Sequence, residues 1–326
     1  MNQRPFPLSP PSLEAISDHL NESYDINYMM TESIKRIKLK KNKWGFYQYE
    51  PLPTQKELQE YYERKYYQEG LGSYEIAYSE DEIAYFKLKA SLIYRECNKL
   101  SDSTAAFKLL DIGCGEGWVL DRFFQSGLTV AGIDFSSFAL EKYHPHLLPF
   151  FQQGNIYDLI RKMPDQEKTY DLIVCANVLE HVVDPVEIIS IIKKMMNQNT
   201  LLVLVVPNDF SSLHQYLLHK KIIDREFWLC YPDHLSYFNK DSMKLFLSDM
   251  EIVIKSIVAD NPIDLNLLNE NSNYIIDKNK GKQTHLFRVR TDNFLASISE
   301  DKLLSLYEVL GSMGIGRDLN YYCRLR

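Results

Sequence analysis

The chain has 326 residues, 45% of them hydrophobic, enough to bury a core in one large α/β domain with additions or in two domains. Its 37 basic and 44 acidic side chains give a formal charge of −7, which removes any electrostatic reason to expect nucleic acid as the main partner. The cysteines Cys97, Cys114, Cys175, Cys230 and Cys323 include no C-x-x-C pair, and no acids cluster at metal spacing, so neither a disulfide framework nor a metal site is expected.

Pro5, Pro7, Pro10 and Pro11 disfavour regular structure at the start, and residues 1 to about 25 read as a loose arm. That start lacks a basic region followed by an apolar core, so no signal peptide is expected. The run Leu201 to Val206 is too short to cross a bilayer, so no integral membrane segment is expected either, and the predicted compartment is the cytoplasm. Ile34 to Lys43 interleaves six basic residues with Ile37 and Leu39, the pattern of an edge strand with one wet face. Trp44 to Tyr49 continues as strand until Pro51 and Pro53 stop it. Thr54, with Glu57 three residues on, has capping-box spacing for a helix running through Leu58, Tyr61 and Tyr62 to a break at Gly70 and Gly72. Asp81 to about Leu100 is an amphipathic helix with Ile83, Phe86, Leu88, Leu92 and Ile93 on its apolar side. Residues 1–104 therefore read as an accessory α+β cap.

From Phe107 onward strands and helices alternate, the mark of an α/β fold with a doubly wound sheet. Lys108 to Ile112 is a buried strand, followed by glycines at 113, 115 and 117 and a helix from Trp118. Glycines permit the sharp turn and close ligand approach that a Cβ would prevent. A dinucleotide fingerprint, G-x-G-x-x-G, would need glycine at 118, where this chain has Trp118. Asp111 beside the turn also favours a cationic ligand over a phosphate, which argues against NAD. Leu128 to Ile133 is a second strand ending at Asp134, seventeen residues beyond Gly117 (134 − 117 = 17). A carboxylate there suits both ribose hydroxyls, or caps the helix Ser136 to Tyr143.

A third strand segment, Phe150 to Asp158, includes Asn155 and Ile156, and a fourth strand runs from Tyr170 into the polar Asn177. Helix Val186 to Asn197 and strand Leu201 to Val206 complete the fifth unit. An insertion of about 208–238, carrying Trp228, Tyr231, His234 and Tyr237, precedes helix Lys240 to Asp249 and strand Ile252 to Val258. His285 to Arg290 is expected as the seventh strand, closing a core of 105–291. Residues 292–326 are left as a helix, Asn293 to Leu310, and a tail whose Gly314-Ile315-Gly316-Arg317 reads either as a plain turn or as an anion site.

Asp111-Ile112-Gly113-Cys114-Gly115-Glu116-Gly117 closely resembles the first motif of the class I S-adenosylmethionine-dependent methyltransferases. Val178-Leu179-Glu180-His181-Val182 and Tyr231 to Phe238 resemble segments of bacterial methyltransferases acting on small molecules and glycans. The resemblance covers about residues 105 to 260. It implies a Rossmann-like seven-stranded sheet, its last strand antiparallel, with the insertion after the fifth strand shaping an acceptor pocket. It implies S-adenosyl-L-methionine as cofactor, held by Asp111, Gly113, Cys114, Gly115, Gly117, Asp134, Phe135, Asn155, Ile156 and Asn177. The third-strand position after the glycine is often an acid in that family and is Asn155 here.

Methyl transfer to a hydroxyl requires a proton to be removed as the new bond forms, and histidine is the natural base near neutral pH. His234, in the insertion, is the first candidate and His181 the second; each also reads as a hydrogen-bonded structural histidine. The expected activity is O-methylation of a sugar, glycan or other small polar acceptor. N- or C-methylation of a metabolite, or a non-catalytic cofactor-binding subunit of a complex, are the alternatives. The oligomeric state is not legible.

Overall fold

The structure is a computed structural model that describes residues 23–30, 33–54, 57–58, 77–101, 107–163 and 170–326. The proline-rich arm and the segment holding Tyr61, Tyr62, Gly70 and Gly72 lie outside the described residues. Among the described residues, two sheets are present: a four-stranded one of order β1-β2-β3-β9 and a seven-stranded one of order β10-β11-β8-β7-β4-β5-β6.

The small sheet begins with β1 (Ser23–Met30) and β2 (Ser33–Lys41), antiparallel along their whole length. β2 also pairs with β3 (Tyr47–Glu50), so the basic segment is an interior strand of this sheet and not its edge. The expected continuation of that strand through Trp44 is broken by a turn. Gly45, at φ +89°, donates to the Asn42 carbonyl, and the Asn42 side chain accepts from the Trp44 amide. Asn and Gly tolerate the backbone such a turn demands, and that outweighs the β-preference of the flanking aromatics. β3 then pairs with β9 (Ser236–Tyr237), which belongs to the insertion. The Thr54–Glu57 capping box forms as its spacing predicts, each backbone amide bonded to the other's side chain.

In the large sheet, β4 (Lys108–Ile112) lies between β5 (Thr129–Asp134) and β7 (Leu172–Ala176), parallel to both. β6 (Phe151–Gln153) extends one side and β8 (Leu201–Pro207) the other. The chain builds outward from β4 in one direction, then returns to build in the other, so the switch point falls between β4 and β7. Ligands of open α/β sheets bind at such a point, outside the carboxyl ends of the strands. Both faces of the sheet are covered, which is why β7 and β8 read as unbroken apolar runs. Leu110, Ile112, Ile173 and Leu204 fill one core, and Leu109, Val174, Val203 and Val205 the other. Helix α1 (Glu80–Leu100) packs Leu88, Leu92 and Ile93 into this second core, so it is a layer of the large sheet despite its place within the N-terminal cap. Its Ser79–Glu82 capping box fixes its start.

The expected seventh strand is corrected. His285 to Arg290 lies in helix α2 (Gly281–Ile298), which packs beside α1 and buries Thr284, Val289 and Asp292. The seventh strand is β11 (Asp318–Leu325), inserted antiparallel between β8 and β10 (Ile252–Ala259). Six alternating residues are compatible with either state, and a buried contact with α1 decides for helix. β11 has the stronger claim because both faces are buried: Leu319, Tyr321 and Cys323 enter one core and Tyr322 the other. The long C-terminal helix is also interrupted. Ser299 is extended and its side chain caps a separate helix α3 (Glu300–Met313). No helix among the described residues is long and apolar enough to cross a membrane.

Candidate active site

The loop after β4 is braced before any ligand arrives. The amides of Gly113 and Cys114 both donate to the Ile133 carbonyl at 2.8 and 3.1 Å, and the Gly115 amide donates to Asp134 Oδ2 at 2.9 Å. Gly113 and Gly117 have φ of +74° and +83°, where side chains are strained. A Cβ at Gly113 would stand 2.4 Å from Val178 Cγ2, and one at Gly117 2.5 Å from Leu140 Cδ1. The loop thus touches both the fourth strand's exit and the helix after β5, with no room for side chains at these two points.

Asp111 and Asp134 stand at the ends of neighbouring strands. Asp111 is 3% exposed, and burial, reinforced by the Asp134 charge, pushes its carboxyl up to about 7. Burial raises Asp134 as well, opposed by the amides of Gly115, Ser136 and Phe135. Neither carboxylate has an ion-pair partner among the described residues. Two acids side by side, one buried and one half-buried, favour a cationic ligand. The alternative reading of Asp134 as a helix cap is not what the structure shows. Ser137 occupies the N-cap of Phe138–Tyr143, and within that turn Asp134 accepts from the amides of Ser136 and Phe135, not from the helix.

Cys114 is buried and its thiol is pushed far up by burial, so it acts as a small apolar group packed near Gly132. Phe135 is half-buried beside Asp134. Asn155 caps helix Ile156–Lys162 through its Oδ1, which accepts from the Tyr157 amide at 2.9 Å. Any contact with a purine therefore falls to its amide nitrogen. Ile156 Cδ1 lies 3.9 Å from the position of a Cβ on Gly113, which puts the third-strand segment beside the glycine loop. Glu116, which the sequence left unassigned, receives hydrogen bonds from Tyr78 at 2.7 Å and Trp118 at 2.5 Å. Trp118 packs on Phe86 and His144, tying the loop to the start of α1.

Asn177 follows β7 in the left-handed region, φ +54°, a conformation asparagine tolerates better than most residues. Its amide donates to the Val205 carbonyl, and its Nδ2 reaches Glu180 Oε1 at 3.4 Å. The turn that follows holds Glu180 and His181. The Glu180 carbonyl accepts from the amides of Leu235 and Ser236, at 2.6 and 3.2 Å, and His181 Nδ1 bonds to the Asp233 carbonyl at 2.6 Å. A carbonyl can only accept, so Nδ1 carries the proton and Nε2 carries the lone pair. Through these bonds the insertion lays His234 against His181, with ring centroids 4.8 Å apart and planes at 82°. One donor atom each from Glu180, His181 and His234 lies within 4.8 Å of the others. The expectation of no metal-ligating cluster is therefore revised. Its members are 53 residues apart (234 − 181 = 53), and no local spacing could have revealed them.

Burial, then the neighbouring His181 and Arg317, lower the pKa of His234 to about 3. Arg317, from the glycine-flanked tail, is likewise spoken for. It pairs with Asp209 at 2.9 Å and lies 3.8 Å from Asp264, which is itself bonded to His214 and Tyr274. The carbonyls of Gly314 and Gly316 accept from the Asn208 side chain. The tail is a half-buried brace between β11 and the insertion, its cation paired with Asp209.

A doubly wound sheet whose first strand runs into a G-x-G-x-G turn, with Asp111 and Asp134 beside it, defines a Rossmann-like fold with its ligand site at the switch point. A methyltransferase-domain family model matches residues 77–250, and the chain belongs to the S-adenosylmethionine-dependent methyltransferase family. It is 31% identical over 123 residues to a ubiquinone biosynthesis O-methyltransferase of Pasteurella multocida, covering 34% of this chain and 49% of that one. A ubiquinone biosynthesis O-methyltransferase of Pseudomonas entomophila is 34% identical over 99 residues, 29% of this chain and 41% of its own. The chain thus spans about half the length of the curated relatives it matches. Among solved structures, a SAM-dependent methyltransferase from Archaeoglobus fulgidus aligns with 73% of this chain and 94% of its own, at TM-score 0.43 and 18% identity.

Proposed function

We propose that this chain transfers a methyl group from S-adenosylmethionine to a hydroxyl of a sugar, glycan or other small polar acceptor. The observation that carries the cofactor half is the pair of adjacent acids, buried Asp111 and half-buried Asp134, with no ion-pair partner among the described residues. S-adenosylmethionine, when bound, supplies an electrophilic methyl on a positively charged sulfur. Asp111 faces its cationic end, Asp134 accepts the ribose hydroxyls, and the amide of Asn155 and the side chain of Ile156 border the base. The glycine loop provides the close floor, and Asn177 borders the methyl.

The acceptor hydroxyl meets the turn of Glu180 and His181 under His234. As its oxygen bonds to the methyl carbon, the carbon–sulfur bond breaks to release S-adenosylhomocysteine, and the hydroxyl proton goes to a basic nitrogen. His181 Nε2 is the better acceptor in the ion-free protein, because the Asp233 carbonyl fixes the tautomer that leaves the lone pair there. A buried His234 with a pKa near 3 holds a proton poorly, so its role is to border the acceptor. The O-methyltransferase names of the relatives support oxygen over nitrogen or carbon as the attacked atom.

Calorimetry tests the cofactor half directly. S-adenosylmethionine and S-adenosylhomocysteine should bind and NAD should not. NAD binding, with no response to either sulfur ligand, would overturn the reading. A screen of hydroxylated acceptors with radiolabelled methyl then tests the transfer.

A further inference from the structure

We infer that Glu180, His181 and His234 form a site for a divalent first-row metal ion that favours imidazole, such as Zn2+ or Co2+. The inference rests on the reading above only in placing an acceptor beside these side chains. Three observations carry it. The donor atoms come from two segments, the turn after β7 and the insertion, yet lie within 4.8 Å of one another. Glu180 is 1% exposed, and its Oε2 is buried without a hydrogen-bond partner among the described residues. His234 Nδ1 is buried and lacks a partner in the same way. A sealed carboxylate oxygen on Glu180 and a sealed imidazole nitrogen on His234, within one cluster, are costly to leave unanswered, and a cation bound by these side chains would answer that cost.

The surroundings are those of a ligand set. Asn177 Nδ2 contacts Glu180 Oε1 at 3.4 Å, and the Asp233 carbonyl holds His181 Nδ1, orienting Nε2 toward the same space, 3.8 Å from Glu180 Oε1. Metal-bound histidine characteristically donates its other ring nitrogen to a carbonyl or carboxylate, which fixes the ring and its tautomer. One carboxylate with two imidazoles suits Zn2+, Co2+ or Fe2+, whereas Mg2+ and Ca2+ prefer oxygen donors throughout. Ligands about 2.0–2.1 Å from a tetrahedral ion stand roughly 3.3–3.5 Å apart, so binding closes this cluster by about an ångström. His234 is half-buried and its Nδ1 has no hydrogen-bond partner among the described residues, so its ring takes up this movement while the Asp233 carbonyl holds His181.

Three protein ligands leave a coordination position open, the arrangement of a catalytic ion and not of a structural one. In the loaded protein His181 Nε2 is a ligand and no longer the base. A hydroxyl at the open position is acidified by the ion, and its proton leaves to bulk water.

The test uses the full chain, treated with chelator and then titrated with Co2+. One equivalent should bind and produce the visible absorption of a low-symmetry cobalt site. Glu180→Gln, His181→Ala and His234→Ala should each weaken binding at least about tenfold, since even outer-shell losses cost roughly 10–100-fold. S-adenosylhomocysteine binding, measured on the same samples, reports that each variant is folded and that the cofactor site is intact. Cobalt binding that is absent, or unchanged in all three variants that still bind S-adenosylhomocysteine, overturns the metal site and leaves the methyltransferase reading standing. Cobalt binding without any response to the sulfur ligands overturns that reading instead.

Discussion

At the scale of single residues, Asp134 braces the glycine loop through the Gly115 amide. Under the function proposed above, the same carboxylate also accepts the ribose hydroxyls. Hydrogen bonds to a charged acceptor contribute about 1.5–3 kcal/mol each. Asp134→Ala should therefore weaken S-adenosylhomocysteine at least roughly tenfold by calorimetry while the far-ultraviolet dichroism stays native. Unchanged affinity in the folded variant would reduce Asp134 to a loop brace. The two histidines are told apart in chelator-treated protein. His181→Ala should lower turnover by about 10²–10⁴-fold with cofactor affinity nearly constant, and His234→Ala by less. The reverse order would return the base to His234. The sequence ranked them the other way because position in an insertion is visible there, whereas the Asp233 carbonyl that selects the tautomer of His181 is a contact across 52 residues.

Among the elements, β11 shows how burial on both faces outweighs local pattern. Tyr321 is fully buried in one core, and its hydroxyl has no partner among the described residues. Removing the ring leaves a cavity, whereas removing only the hydroxyl relieves an unsatisfied polar atom. Tyr321→Ala should cost about 3–5 kcal/mol by denaturant unfolding, as large aromatic truncations do. Tyr321→Phe should be neutral or stabilising by about 1 kcal/mol. Equal losses in the two variants would mean that the hydroxyl, and not the packing of β11, matters. The turn carrying Glu180 shows a second element-scale effect. Its carbonyl and His181 clasp residues 233–236, and β9 continues from that clasp into the small sheet beside β3. Gln48 adds a bond to Ser236 and another to the Val183 carbonyl, so the N-terminal hairpin supports the segment that positions His234.

For the molecule as a whole, the buried acids set a pH dependence. Asp111 is raised to about 7, first by burial and then by Asp134; Asp260 is raised to about 6, first by burial and then by Asp318. Both bind protons more tightly folded than unfolded. Their contribution to stability is full below the unfolded carboxyl range near 4 and is lost as pH rises through about 6–7. Asp264, lowered to about 2 despite its burial because His214, Arg317 and Tyr274 hold its charge, acts in the opposite sense, and only below about pH 4. The cofactor-free protein should therefore melt at a lower temperature at pH 7.5 than at pH 5. S-adenosylhomocysteine, whose amino group is cationic, should narrow that difference by stabilising the ionised Asp111. A melting temperature that rises from pH 5 to 7.5 without ligand would refute the electrostatic account of the site.

The sequence by itself determined the parts of this protein whose physics is local. Gly113 and Gly117 announce a turn that no side chain could enter, Ser79 with Glu82 and Thr54 with Glu57 close their own caps, and the apolar runs of β7 and β8 declare strands buried on both faces. Asp111 and Asp134 were legible because each sits at the end of a strand whose register is set by that same pattern. Tertiary structure alone decided the rest, since each of those outcomes depends on a partner distant in sequence. His285 to Arg290 became helix against α1, Asp318–Leu325 took the seventh place in the sheet, and Arg317 was neutralised by Asp209 and Asp264. His234 met Glu180 and His181 for the same reason: a hydrogen-bonded clasp, invisible to any window of sequence, closed the insertion onto the turn after β7.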